Sequence, residues 1–176
     1  MRIIAGTLKG RRLAAPEGSL AVRPTADRAR EALFSILQKW PMGPFLDLYA
    51  GTGAVGLEAL SRGFAPVTLV EKAPEALKCL SANARGADAR VLAQDVRRLG
   101  PEAFSGLAVA FADPPYEAAL EAWGLLGSRI AGWLAPDGIL VFEAGAGTAL
   151  PAAPGLEEVE TRRYGAAEFH IFRLAR

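Results

Sequence analysis

Past Phe45 the chain alternates short apolar runs with stretches of helical periodicity, and that alternation leaves it few architectures. Near-continuous apolar runs read as strands covered by helices on both faces, the pattern of a parallel α/β sheet. The runs predict strands over Phe45–Tyr49, Pro66–Val70, Ala89–Leu92, Leu107–Ala112 and Gly138–Phe142. Helices are predicted between them, over about Ala54–Arg62, Pro74–Ala84 and Glu117–Trp133. A Gly/Ala/Pro loop without a clear helix then leads to Gly155. Two further strand-like runs, Leu156–Arg163 and Ala167–Leu174, can form an antiparallel hairpin around Tyr164-Gly165 at one sheet edge. At 176 residues, one domain of ordinary size accounts for the chain.

The residues before Phe45 differ in kind. Arg2–Ala5 and Arg11–Ala14 can pair around Gly6-Thr7-Leu8-Lys9-Gly10, and Arg23-Pro24-Thr25 leads into a helix of about Asp27–Trp40. Ala29, Leu33, Ile36, Leu37 and Trp40 share one face of that helix, leaving Arg28, Ser35 and Lys39 elsewhere. The net charge of +1 hides an asymmetry: residues 1–40 hold eight Lys/Arg against three acids, the remainder twelve against sixteen. A basic block on an acidic body is what a phosphate backbone attracts. Gly43-Pro44 marks the junction within one unit.

The remaining composition excludes several classes. No run of about 18 apolar residues is present to span a bilayer; Ile139 to Leu156, the best candidate, carries Glu143, three Gly and two Pro. The start lacks the apolar stretch of a signal peptide, so a cytoplasmic location is expected. Cys79, the single cysteine, has no partner for an internal disulfide and no neighbouring ligand set, so it reads as a small buried hydrophobe and no metal is expected. His170, the single histidine, lies in the last strand and reads as structural.

Two motifs carry chemistry. The stretch from Phe45 to Leu60 is strand, glycine loop and helix. Gly51, Gly53 and Gly56 permit a tight turn, a close backbone approach to a ligand and close helix–strand packing. Twenty residues after Gly51, an apolar run ends in Glu71, where an acid can accept both hydroxyls of a ribose. These features suit a nicotinamide dinucleotide as well as S-adenosylmethionine. Asp47 lies inside the first strand, where an acid needs a partner that a cationic cofactor would supply. Asp95 follows the third strand, and Asp113 ends the fourth, so four carboxylates follow four successive strands. Ligands of open α/β sheets bind at that edge. The second motif, Asp113-Pro114-Pro115-Tyr116, sets a carboxylate, two residues without N–H donors and an aromatic ring at a strand end. A planar base could stack on Tyr116 while its exocyclic amine donates to Asp113 and to a backbone carbonyl.

The tetrapeptide resembles motif IV of S-adenosylmethionine-dependent amino methyltransferases. Ile4-Ala5-Gly6-Thr7-Leu8-Lys9-Gly10-Arg11-Arg12-Leu13, and the block from Arg23-Pro24-Thr25 through Asp27-Arg28 to Arg30-Glu31, resemble the opening of the RsmD family, bacterial methyltransferases acting on guanine N2 of 16S ribosomal RNA. The likeness extends through Asp47-Leu48-Tyr49-Ala50-Gly51-Thr52-Gly53, Glu71, Asp113-Pro114-Pro115-Tyr116 and the terminal hairpin. It implies a class I methyltransferase sheet, with five parallel strands plus the antiparallel hairpin, over residues 44–176 and a basic, RNA-facing extension over residues 1–43. By the same resemblance Asp47, Tyr49, Gly51, Thr52, Gly53, Gly56, Glu71, Lys72, Asp95 and Val96 would hold S-adenosylmethionine. Asp113, Pro114, Pro115 and Tyr116 would orient the target amine. Arg11, Arg12, Arg23, Thr25, Arg28 and Arg30 would contact RNA. The implied substrate is the assembling small ribosomal subunit, and the implied enzyme is a monomer. The alternatives are a DNA adenine or cytosine amino methyltransferase, a nicotinamide-dependent oxidoreductase and a non-catalytic RNA-binding protein. The absence of a separate target-recognition domain argues against the first, and Asp113-Pro114-Pro115-Tyr116 against the second.

Overall fold

The computed structural model describes residues 1–18 and 24–176. In chain order the elements are α1 (Pro24–Leu37), β1 (Phe45–Asp47), α2 (Ala54–Ser61), β2 (Val67–Glu71), α3 (Pro74–Asn83), β3 (Ala89–Ala93), β4 (Leu107–Ala112), α4 (Ala119–Gly127), β5 (Leu134–Gly145), β6 (Leu156–Tyr164) and β7 (Ala167–Leu174). They form one seven-stranded sheet in the order β3-β2-β1-β4-β5-β7-β6. Strands β1 to β5 run parallel, while β7 is antiparallel to β5 and β6. The chain builds outward from β1 to β3, then restarts at β4 on the other side of β1. Connections therefore diverge at the carboxyl ends of β1 and β4, which opens a crevice there.

Both faces of the sheet are packed. One carries α1, with Leu33, Phe34 and Leu37 set against Phe45, Val109 and Phe111 and joined by Ile3 and Leu13 of the front segment. The other carries α4, whose Trp123 packs on Phe142 and Phe172 with ring centroids 5.3 and 4.5 Å away. The expected strands and helices form, with shifted ends. The first helix starts at Pro24, a residue suited to the first helical turn, and ends at Leu37, short of the predicted Trp40. Trp40 precedes Pro41, and a residue before proline is driven away from helical angles. The predicted helix Glu117–Trp133 resolves into a short 3-10 turn, α4 and a second 3-10 turn. Gly124, Gly127 and Gly132 weaken continuous helix there. Cys79 is partly exposed, which corrects the expectation of a buried residue. His170 is buried and its Nδ1 lies 2.7 Å from Glu158.

The front segment closes on itself through an antiparallel bridge between Arg2 and Arg12, with Leu13 N–H donating to Met1 and Ile3 N–H to Arg11. Its anchor on the body is Glu58 of α2, fully buried, which accepts the N–H groups of Ile4 at 2.7 Å and Ala5 at 3.0 Å. Arg62 Nε donates to the same carboxylate at 2.8 Å, and Arg30 Nε lies 3.6 Å from it. Arg30 is only 5% exposed and also donates to Asp27 and to the Arg2 carbonyl. Its placement among the RNA contacts is therefore corrected: this guanidinium neutralises a buried acid and is almost wholly removed from solvent.

Candidate functional site

A cavity of about 1090 Å3 opens at the strand carboxyl ends. Tyr49, Gly51, Glu71, Lys72, Asp95 and Val96 line one part, and Asp113, Pro114, Pro115 and Tyr116 another. Gly51 and Asp113, sixty-two positions apart in the chain, thus share one space because β1 and β4 are neighbours.

The glycine loop is shaped by what each position excludes. Gly53 has φ +85°, a left-handed conformation, and a Cβ there would meet Leu80 Cδ1 at 2.5 Å. A Cβ on Gly56 would sit 2.0 Å from Leu69 Cδ2, so only glycine lets α2 lie this close to β2. Neither residue lines the cavity; they set the backbone behind it. Thr52 is likewise structural in position, its carbonyl accepting from Asn83 Nδ2 at 2.8 Å. The Asn83 side chain also holds both backbone groups of Ala14, which places the front segment one side chain from the glycine loop.

Asp47 is buried behind the loop and absent from the cavity wall. Its Oδ2 accepts Gly56 N–H at 3.1 Å, whereas Oδ1 is buried without a hydrogen-bond partner among the described residues. Burial pushes its pKa up to about 7, against the lowering effect of the Gly56 N–H, and the Asp113 charge raises it further. Glu71 draws the loops together: Oε2 accepts Gly51 N–H at 2.8 Å and Oε1 accepts the N–H groups of Lys72 and Ala73. Asp95 caps the short turn Val96–Arg98 through Arg97 N–H. Its carboxylate also accepts from the Arg97 guanidinium and Lys72 Nζ, and the Arg97 side chain above all holds its pKa far below the usual range. Val96 is buried beneath. Burial raises Tyr49 to about 12, so its hydroxyl stays neutral.

At the other end, Asp113 is open to the cavity but surrounded by protein, and this desolvation pushes its pKa up to about 6. Tyr116 is half exposed, its ring lying over Gly145, where an added Cβ would touch it at 3.7 Å. The sequence reading missed Glu143, treated there only as a charge interrupting an apolar run. It lines the same cavity and is pushed up to about 8, first by burial and then by the Asp113 charge. An acid ending an apolar strand is the signal that found Glu71 and Asp113, and it would have found Glu143 too. Glu117 and Glu121 complete an acidic wall, with Lys72 and Arg97 as its bases. Of the expected RNA contacts, Arg12 and Arg28 are exposed, while Arg11 is partly exposed and donates to the Arg85 carbonyl at 2.6 Å. Thr25 falls in the first turn of α1, and Arg23 lies outside the described residues.

Comparison with known proteins agrees with this arrangement. A family model described as conserved hypothetical protein 95 matches residues 1–173. The chain is 36% identical over 161 residues to the ribosomal RNA small subunit methyltransferase D of Escherichia coli K12, covering 88% of this chain and 79% of that protein. A solved structure of a hypothetical protein from Thermus thermophilus superposes with a TM-score of 0.83 at 37% identity over 99% of each chain. A TehB-like SAM-dependent methyltransferase from Corynebacterium glutamicum shares the fold alone, with a TM-score of 0.61 at 16% identity over 85% of this chain and 96% of that one. A match that runs from the front segment to the last strand, joined to a cavity holding both motifs, places this chain in the RsmD family of methyltransferases.

Proposed function

We propose that the protein transfers a methyl group from S-adenosylmethionine to the exocyclic N2 of a guanine in 16S ribosomal RNA, in the cytoplasm and on the assembling small subunit. The observation that carries this reading is the acid-lined cavity running from the glycine loop to Asp113. A sulfonium cofactor is a cation and is favoured by such a wall, whereas the pyrophosphate of a dinucleotide is repelled by it. The residues suit the cofactor in kind: Glu71 offers acceptors for ribose hydroxyls and Asp95 for an adenine amine. Calorimetry on the isolated protein should show binding of S-adenosylmethionine or its demethylated product; tighter binding of NAD would overturn the assignment. Glu71→Ala should weaken that binding by about 1–3 kcal/mol, as loss of a charged acceptor does.

When bound, the cofactor supplies an electrophilic methyl on sulfur. The chain's task is orientation. A guanine amino group is a poor nucleophile because its lone pair is delocalised into the ring. Hydrogen bonds from its N–H groups to Asp113 and to the Pro114 carbonyl favour a pyramidal nitrogen, and the Tyr116 ring holds the extruded base as a platform. Asp113 takes up the proton released as the N–C bond forms. Exposed arginines of the front segment, Arg12 and Arg28 with Arg11 beside them, hold phosphates without reading bases.

This role sets the pH dependence. Asp113 accepts a proton only when ionised, so activity is lost as pH falls through its pKa, and desolvation by the surrounding protein has moved that value up to about 6. The limb belongs to the interacting Asp113 and Glu143 pair rather than to one residue. Single-turnover rates against pH should rise across the range of about 6 to 8 over which the pair ionises; a midpoint near the ordinary aspartate value of about 4 would contradict the assignment.

A further inference from the structure

The described part of the cavity holds an acid that the mechanism above does not use. Ala112 and Phe142 are paired across β4 and β5, so Asp113 and Glu143 are the next residues on neighbouring parallel strands. Neighbouring strands lie about 4.8 Å apart, close enough for their carboxylates to face adjacent donors on one ring. Nothing in the described protein answers Glu143: across the antiparallel pairing stands Phe169, and neither burial nor Asp113 favours its charge. The adjacent Glu168 carboxylate is engaged elsewhere, by Gly147 N–H at 2.9 Å. Without a cation or donor such a group stays protonated at neutral pH, and a ligand that supplies a donor favours its charged form.

We propose that Glu143 reads the Watson–Crick edge of the target guanine by accepting its N1–H, while Asp113 accepts from N2. The inference rests on the methyl-transfer reading and deepens it by assigning base specificity. An ionised carboxylate offers only acceptors. Guanine is the base whose ring nitrogen beside the amine is a donor. Adenine N1 and cytosine N3 are acceptors beside their amines, so either base would set a lone pair against Glu143. Two neighbouring carboxylates therefore select an edge made of donors. A donor from the base also stabilises the charged form of Glu143, which burial in the cavity wall disfavours.

The test uses 16S RNA in which 2-aminopurine replaces the methylated guanine, reconstituted into small subunits. That analogue keeps the N2 amine but presents an acceptor at N1. Reactions run above pH 8, where Glu143 is ionised, with its pKa near 8. Wild-type enzyme should methylate guanine and strongly disfavour 2-aminopurine. Glu143→Gln carries an amide N–H that can meet the acceptor, so the ratio of 2-aminopurine to guanine rates should rise by roughly tenfold or more, the scale of one mismatched hydrogen-bonding group. Cofactor affinity, measured on the same preparation, reports folding. Should the glutamine variant fail to fold, Glu143→Ala gives a second reading: it should lose guanine rate while keeping the 2-aminopurine rate. An unchanged ratio in either variant, with wild type active on guanine, overturns the proposal alone. Wild type inactive on guanine overturns the methylation reading and the proposal with it.

Discussion

Asp113→Ala is expected to lower methyl transfer by about a thousandfold while changing cofactor affinity by less than about twofold. The separation follows from the geometry. Asp113 follows β4 within the part of the cavity formed by Pro114, Pro115 and Tyr116, whereas Glu71 ends β2 and Asp95 follows β3 on the far side of β1. Tyr116 offers a graded companion: Tyr116→Phe keeps the ring over Gly145 and should retain much of the activity, whereas Tyr116→Ala should not. Titration with the demethylated cofactor and single-turnover assays on the three variants check both claims. Equal rates for the Phe and Ala variants would remove the stacking role.

Glu58→Ala should destabilise the protein by about 3–5 kcal/mol, the scale expected when one partner of a buried ion pair is removed. Three consequences act together: Arg30 stays buried with one acid fewer, Arg62 loses its partner, and the N–H groups of Ile4 and Ala5 lose their acceptor. Thermal unfolding measures the loss, and limited proteolysis should show the front segment cut first. Arg30→Ala should behave in the same direction, with no change in the salt dependence of RNA binding. Arg28→Ala should instead leave stability unchanged and flatten the log–log salt slope by roughly 0.7 to 0.9, the contribution of one phosphate contact.

These contrasting arginines mark where the sequence was legible and where it was not. Asp113, Glu71 and the glycine loop could be read because each sits at the end of an apolar run, and a strand end in a parallel sheet places its next residue at the ligand edge. Arg30 could not be read in the same way. It lies three, four and seven residues before Leu33, Phe34 and Leu37, on the buried side of α1, but its charge suggested solvent, and its partner Glu58 is twenty-eight positions further on. The double duty of Asn83, clamping Ala14 and the Thr52 carbonyl, was hidden for the same reason: a side chain that joins distant backbone groups leaves no local pattern. Asp47 was legible as an acid requiring a partner, but its place behind the glycine loop depends on how closely Gly56 brings α2 to the sheet.

The most direct test offers tritiated S-adenosylmethionine to the purified protein with small ribosomal subunits, naked 16S RNA and duplex DNA in parallel, followed by nucleoside analysis of the labelled product. Label is expected in N2-methylguanosine from the ribosomal substrates and none in DNA. Label in N6-methyladenine or N4-methylcytosine of DNA, or cofactor binding with no label in any substrate, would contradict it.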